Sequence, residues 1–307
     1  MYGFRPKHVQ IQGCMCTDSG PVCTDQPIQY TYPMTKPTIY KSNALIEASY
    51  KLGLTEQRIL LACISQVRRD QPLTDDVFYS VSVNDIASMT GTGSNSLYDE
   101  LSAAVKKLRR KDVLITMEPN GGGLKPIIME TSWVQTCVYI EREGRIELRF
   151  NKDMLQYLSE LKAQFTGYAL QDVIRMTSSY AIRLFEMLVQ YTSVGHREIS
   201  VEDFRRWLRL DDSYPLMSEL RRRVVEPAVA QINEHGPMMV KWSPKKTGRS
   251  VTHLSFTFAP KKGSAVKGIE RKSPSVKNTI TAYELSKKAR PGESTADALK
   301  RLDVALI

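Results

Sequence analysis

The stretch from Tyr214 to Phe258 limits the fold more than any other part of the chain. It opens YPLMSELRRRVVEPAVAQIN and closes GPMMVKWSPKKTGRSVTHLSFTF. Leu216, Leu220, Val224, Ala228 and Ile232 recur every fourth residue, which predicts a helix with one apolar stripe. Arg221, Arg222 and Arg223 are consecutive, so at about 100° per residue they fan around the cylinder and cannot all be buried. Asp212 and Ser213 stand before the helix as cap candidates, and Pro215 suits a first turn. Met238–Trp242 and Val251–Phe258 are rich in β-formers, and SPKKTGRS between them carries Pro, Gly and three cations. Such a helix, followed by a hairpin with a basic tip, outlines a winged helix built for DNA.

The same order of elements occurs earlier in the chain. Ser82-Val83-Asn84-Asp85-Ile86 matches Ser200-Val201-Glu202-Asp203-Phe204 at an offset of 118. Asp99-Glu100-Leu101 and Val105 match Ser218-Glu219-Leu220 and Val224 at an offset of 119. A repeat of that length is two copies of one domain, not a short-repeat solenoid. The first copy is preceded by a helix opening near Thr55, with Ile59, Leu60, Cys63, Ile64 and Val67 inward. Its own long helix begins around Ser96–Asp99, with Leu97, Leu101, Ala104, Val105 and Leu108 as the stripe. Strands over Val113–Met117 and Pro126–Ile140 and the run RIELRF supply a first wing and a β-layer. The reading is therefore an α+β chain with two tandem winged-helix domains and flexible termini. Residues 1–40 form an arm, 41–150 the first domain, 151–262 the second, and 263–307 a basic tail with a short helix over Thr295–Leu306.

Charge placement agrees with this division. The chain has 307 residues and a net charge of +10. Residues 214–307 hold 18 Lys and Arg against 8 Asp and Glu, whereas residues 1–213 hold 25 of each. The whole excess lies in the C-terminal part, which points to a polyanion partner there. Five Cys is an odd number, and no disulfide framework fits, so a reduced cytoplasm is expected. Cys14, Cys16 and Cys23 with His8 do not have a zinc spacing, so no metal or cofactor is expected. No apolar run approaches the ~18 residues of a membrane span.

Catalytic motifs are missing. There is no P-loop, and the four His residues are too far apart for the paired-His metal site of a nicking enzyme. Lys246-Thr247-Gly248 is turn chemistry, and Asp75-Asp76 and Asp211-Asp212 are more simply caps than a two-metal site. The chain reads as a binder, not an enzyme. In the second unit the N-terminal half of the reader helix brings Ser218, Arg221 and Arg222 toward base edges, with Arg223 on phosphate. Lys241, Lys245, Lys246 and Arg249 suit backbone or minor-groove contact. In the first unit Ser96, Lys106, Lys107 and Arg110 are auxiliary candidates, although cations in a last turn also complement the helix dipole. Pro227 predicts a kink, and Trp207 and Trp242 are read as core.

Two stretches, KSNALIEASYKLGLTEQRILL and YPLMSELRRRVVEPAVAQIN with GRSVTHLSFTF, resemble the iteron-binding plasmid replication initiator family. The resemblance spans roughly residues 41–262. It implies two winged-helix domains in tandem. It also implies monomers on origin repeats, and dimers joined through the first domain that repress their own promoter at an inverted repeat. Recruitment of the host initiator protein and replicative helicase, and opening of an A·T-rich region, are further implications. The DNA-reading positions carry over to Arg221, Arg222 and Arg223. A winged-helix transcriptional regulator without origin activity has the same residue pattern.

Overall fold

In the computed structural model, residues 37–68, 74–91, 97–116, 127–159, 165–210 and 213–261 are described, with short pieces at 279–280, 285, 288, 290, 295–302 and 305–306. The chain enters on β1 (Thr38–Ser42) and α1 (Asn43–Ile46), where Ser42 Oγ accepts from the Leu45 N–H at 3.2 Å. α2 (Leu54–Ile64), β2 (Tyr79–Ser82), α3 (Val83–Thr90) and α4 (Leu97–Leu108) follow. β3 (Asp112–Thr116) pairs with β4 (Ile128–Ser132) as a hairpin, and β5 (Val134–Ile140) pairs with β6 (Arg145–Phe150). α5 (Lys152–Ser159), β7 (Phe165–Ala169), α6 (Ser179–Val189), β8 (His196–Ser200) and α7 (Val201–Trp207) lead to the long reader helix. That helix comprises α8 (Met217–Leu220), a π-helical turn (Arg221–Val225) and α9 (Glu226–His235). β9 (Met238–Thr247) and β10 (Ser250–Pro260) close the second unit, and β11 (Thr279–Ile280), α10 (Thr295–Leu302) and β12 (Ala305–Leu306) lie beyond it.

The repeat seen in the sequence is a repeat of structure. Each unit holds a three-stranded antiparallel sheet with the same order, β2-β6-β5 in the first and β8-β10-β9 in the second. Ser82 caps α3 and Ser200 caps α7 in matching fashion. Their hydroxyls accept from the N–H groups of Asp85 and Asp203 at 3.1 and 2.9 Å and donate to the same carboxylates at 2.7 Å. Such caps satisfy donors that the first helical turn leaves open. The paired apolar positions are equally buried: Ile86 and Phe204, Leu101 and Leu220, Val105 and Val224.

The predicted stripes of α2 and α4 are buried, with Val67 packed at the margin. In the reader helix Leu220, Val224, Ala228 and Ile232 are buried, joined by Val225 and Val229. Leu216 departs from the expectation: it is 62% exposed and precedes the first helical residue, Met217. Ser213 does not cap the helix, because the chain is still turning there, with Tyr214 at φ +56°. Asp211 and Asp212 lie outside the described residues. Trp207 and Trp242 pack against the core as partly buried residues.

β1 pairs antiparallel with β7, so the chain's first strand is held by a segment more than a hundred residues on. Beneath this pair lies a buried charged network. Lys41 Nζ donates to Glu186 Oε1 at 2.6 Å, Tyr168 OH donates to the same oxygen, and Arg183 Nη1 sits 3.3 Å from Glu186 Oε2. Arg183 also donates to Tyr50 OH and to the Ala48 carbonyl. Burial pushes the Glu186 carboxyl up, but Lys41 and Arg183 together outweigh it and hold the group below its ordinary range. Burial lowers Lys41, partly offset by Glu186. Arg197 Nη2 meets Glu47 Oε1 at 2.6 Å, and Ser49 Oγ donates to the Arg206 carbonyl at 2.6 Å. These contacts tie residues 41–50 to α6, β8 and α7.

Candidate nucleic-acid interface

Arg205 on α7 sets the entry to the reader helix. Its guanidinium donates to the carbonyls of Ser213, Tyr214 and Pro215 at 3.1, 2.6 and 3.2 Å. One rigid donor fork thus fixes the turn between the two helices, where Arg209 and Tyr214 both take positive φ. The sequence reading did not single out Arg205. Asp212, Ser213 and Pro215 mark a turn in the sequence, but they do not show which side chain holds it.

From that turn the helix brings Ser218, Arg221, Arg222 and Arg223 to the surface, all exposed. The expected kink at Pro227 takes the form of a π-helical turn just before it, in which the Glu226 N–H donates to the Arg221 carbonyl. Proline has no N–H to give and its ring crowds the carbonyl four residues back, so a wider turn there relieves both. Arg222 and Arg223 make no side-chain hydrogen bond or ion pair within the described residues. Arg221 Nε donates to Glu226 Oε1 at 2.6 Å.

The wing is longer than expected. β9 and β10 pair from Met238 to Thr247, leaving only Gly248-Arg249 as the turn, with Gly248 at φ +63°. Lys245 and Lys246 are therefore strand residues, not loop residues. Pro244 is accommodated because β9 is an edge strand. Strand alternation then divides the cations. Trp242, Pro244 and Lys246 face an open cleft of roughly 500 Å³ whose other wall is Met217, Ser218, Arg221 and Arg222. Lys241 and Lys245 take the opposite face, and Lys245 Nζ meets Glu198 Oε2 at 2.7 Å. That hydrogen bond holds the Glu198 carboxyl below its ordinary value. Arg249 is exposed at the tip, and Arg223 is exposed outside the cleft.

Of the auxiliary positions, Lys106, Lys107 and Arg110 are exposed at the end of α4, with Lys106 Nζ 5.6 Å from the Tyr139 ring centre. Ser96 lies outside the described residues. So do Cys14, Cys16, Cys23 and His8; among the described residues no group of three or more His, Cys, Asp or Glu is placed to hold a metal. Burial pushes the Cys63 and Cys137 thiols up, that of Cys137 to about 11, so neither is a ready thiolate. No described helix is long and apolar enough to cross a membrane.

Two units of helix, turn, longer helix and hairpin with matching sheets define a tandem winged-helix protein. Residues 38–189 match the model of the WH1 domain of the initiator replication proteins, and residues 200–258 match that of their WH2 domain. The chain belongs to this replication-initiator family. A replication initiation protein of Escherichia coli is 25% identical over 231 residues, covering 73% of this chain and 70% of the relative. An uncharacterised 27.6 kDa protein of Escherichia coli is 27% identical over 225 residues, covering 69% of this chain and 91% of the relative. The crystal structure of Pi initiator protein in complex with iteron DNA is similar in fold, with a TM-score of 0.62 at 21% identity, covering 74% of this chain and 98% of that one.

Proposed function

We propose that this chain is a sequence-specific, double-stranded-DNA-binding initiator of plasmid replication that recognises origin repeats through its second winged-helix unit and breaks no bonds itself. The observation carrying this reading is the placement of Ser218, Arg221, Arg222 and Lys246 around one open cleft between reader helix and wing. Arg221 and Arg222 meet base edges, where Arg is shaped for bidentate contact with guanine. Arg223, Lys246 and Arg249 meet phosphates and fix the register. Lys245 and Lys241, on the other wing face, take a supporting part, and Lys245 must leave Glu198 to do so. Residues 41–150 serve dimerisation and auxiliary contact, 151–262 reading, and the 1–40 arm and 263–307 tail lie outside both. Origin opening, recruitment of a host initiator protein and replicative helicase, repression of its own promoter as a homodimer, and residence in the cytoplasm complete the reading. They rest on family membership.

The test uses a duplex selected from a random pool by the unaltered chain, and a shuffled duplex of equal composition. Arg221→Ala with Arg222→Ala should remove the preference between them, a loss of ~1–3 kcal/mol per base pair read. Lys246→Ala with Arg249→Ala should weaken both duplexes alike and lower the salt slope by about 2. Undiminished preference in the double Arg variant would reject the assignment. A plasmid whose only origin is the gene with its flanking DNA should fail to establish when it carries that variant. Establishment of the wild-type plasmid separates initiator from transcriptional regulator.

A further inference from the structure

Glu226 is a carboxylate on the rim of the cationic cleft, where phosphate would repel it. Its Oε1 accepts from Arg221 Nε at 2.6 Å, with both side chains well exposed. In a regular α-helix, residues five apart differ by about 140° around the axis and do not meet. The π-helical turn changes this. The Glu226 N–H already bonds the Arg221 carbonyl, which stacks the two residues on one face and brings their side chains together. Pro227, next in the chain, favours that wider turn. The local geometry is thus built to pair these two residues, while the neighbouring Arg222 is left without a partner among the described residues.

We propose that Glu226 is a positioning and specificity-determining residue, which grips Arg221 by Nε and leaves its two terminal amino groups to point together at a guanine edge. The proposal rests on the reading that Arg221 meets DNA bases. Holding the guanidinium before docking spares part of the ordering that a free Arg would undergo on binding. The carboxylate also repels the phosphates of any duplex, which lowers affinity for both sequences alike, so the gain in specificity comes from orientation.

The measurement is the ratio of affinities for the selected and shuffled duplexes, made with the full chain and checked by circular dichroism for folding. Glu226→Ala should tighten binding to the shuffled duplex about twofold to fivefold, and should lower the ratio about tenfold. Glu226→Gln, which keeps an acceptor for Nε, should retain most of the ratio. In an Arg221→Ala background, Glu226→Ala should change the ratio no further. An unchanged ratio in Glu226→Ala, equal weakening on both duplexes, or an additive effect in the Arg221→Ala background would each overturn the proposal. If Arg221→Ala alone leaves the ratio intact, the base-reading assignment fails, and this inference falls with it.

Discussion

In the first unit the hairpin β5–β6 turns through Glu141-Arg142-Glu143 and Gly144, and Arg145 is held by Glu143 and Glu147 at 2.7 and 2.9 Å. In the second, the equivalent hairpin turns through Gly248-Arg249 beside Lys246. The reader helices differ in the same sense. The cations of α4 sit in its last turn, where the helix dipole favours them. Those of the second reader helix sit in its N-terminal half, where the dipole gives them no support. The first unit also inserts the β3–β4 hairpin between its long helix and its wing strands, and uses it to hold Ser49 through paired backbone bonds with Leu114 at 2.9 and 3.0 Å. One scaffold, with one sheet order and one cap, thus carries two surface charge patterns. The two units differ in where their cations sit, while both cores obey the same burial rules.

Beneath both surfaces, the buried network of Lys41, Tyr168, Arg183 and Glu186 holds β1 to β7 and α6, and there the fold breaks most readily. Glu186→Gln leaves Lys41 and Arg183 buried without their anion, and removing one partner of a buried pair costs about 3–5 kcal/mol. The expected result is a melting temperature lower by about 10 °C or more. The pH dependence has a definite sign. Glu186 is held below its ordinary value in the folded chain, so its contribution is present above that value and is lost as pH falls through the lowered one. The variant lacks this part of the acid slope. Burial lowers Lys41, so the folded state sheds its proton at a lower pH than the unfolded state does, and the variant's stability recovers as pH rises through that lowered value toward the ordinary lysine range. Two separate melting transitions in the unaltered chain would show that the units are not coupled.

Much of the scaffold was legible because it is periodic or local. The stripes of α2 and α4 rest on spacings within a few turns, and the offset of 118 on a pentapeptide that recurs in the second unit; that its Ser and Asp form caps was not read from it. Pro227 announced a disturbance, although its form, a π-helical turn, depends on how the helix packs. The buried charged network was not legible. Its members stand 145 and 136 residues apart, and nothing in Lys41 or Glu186 alone distinguishes a buried ion from a solvated one. The division of the wing cations was hidden for another reason. The SPKKTGRS segment carries turn residues, so it reads as a loop, whereas an edge strand tolerates Pro244 and continues to Thr247.

A sharper comparison uses the matched caps. Ser82→Ala and Ser200→Ala remove the same hydroxyl from the same geometry, and each should cost ~1 kcal/mol. Equal losses, read from denaturant midpoints at unchanged slope, would mean the two units share their local energetics as well as their shape. A much larger loss at Ser200 would mean that α7 depends on its cap to present Arg205 to the turn before the reader helix.

The smallest expected effect concerns the cations of α4. Lys106 is committed to the Tyr139 ring, an interaction worth ~0.5–1 kcal/mol at an exposed site. Lys107 and Arg110 are exposed beside it. If the first unit touches the phosphate backbone, Lys107→Ala should weaken the selected and shuffled duplexes equally and reduce the salt slope by about 1. Lys106→Ala should do less to binding and more to stability, since it loses the ring contact first. Cations that serve only the helix dipole would give a different pattern: a small loss of stability at both positions and no change in slope. That pattern would confine DNA contact to the second unit and leave the first with dimerisation alone.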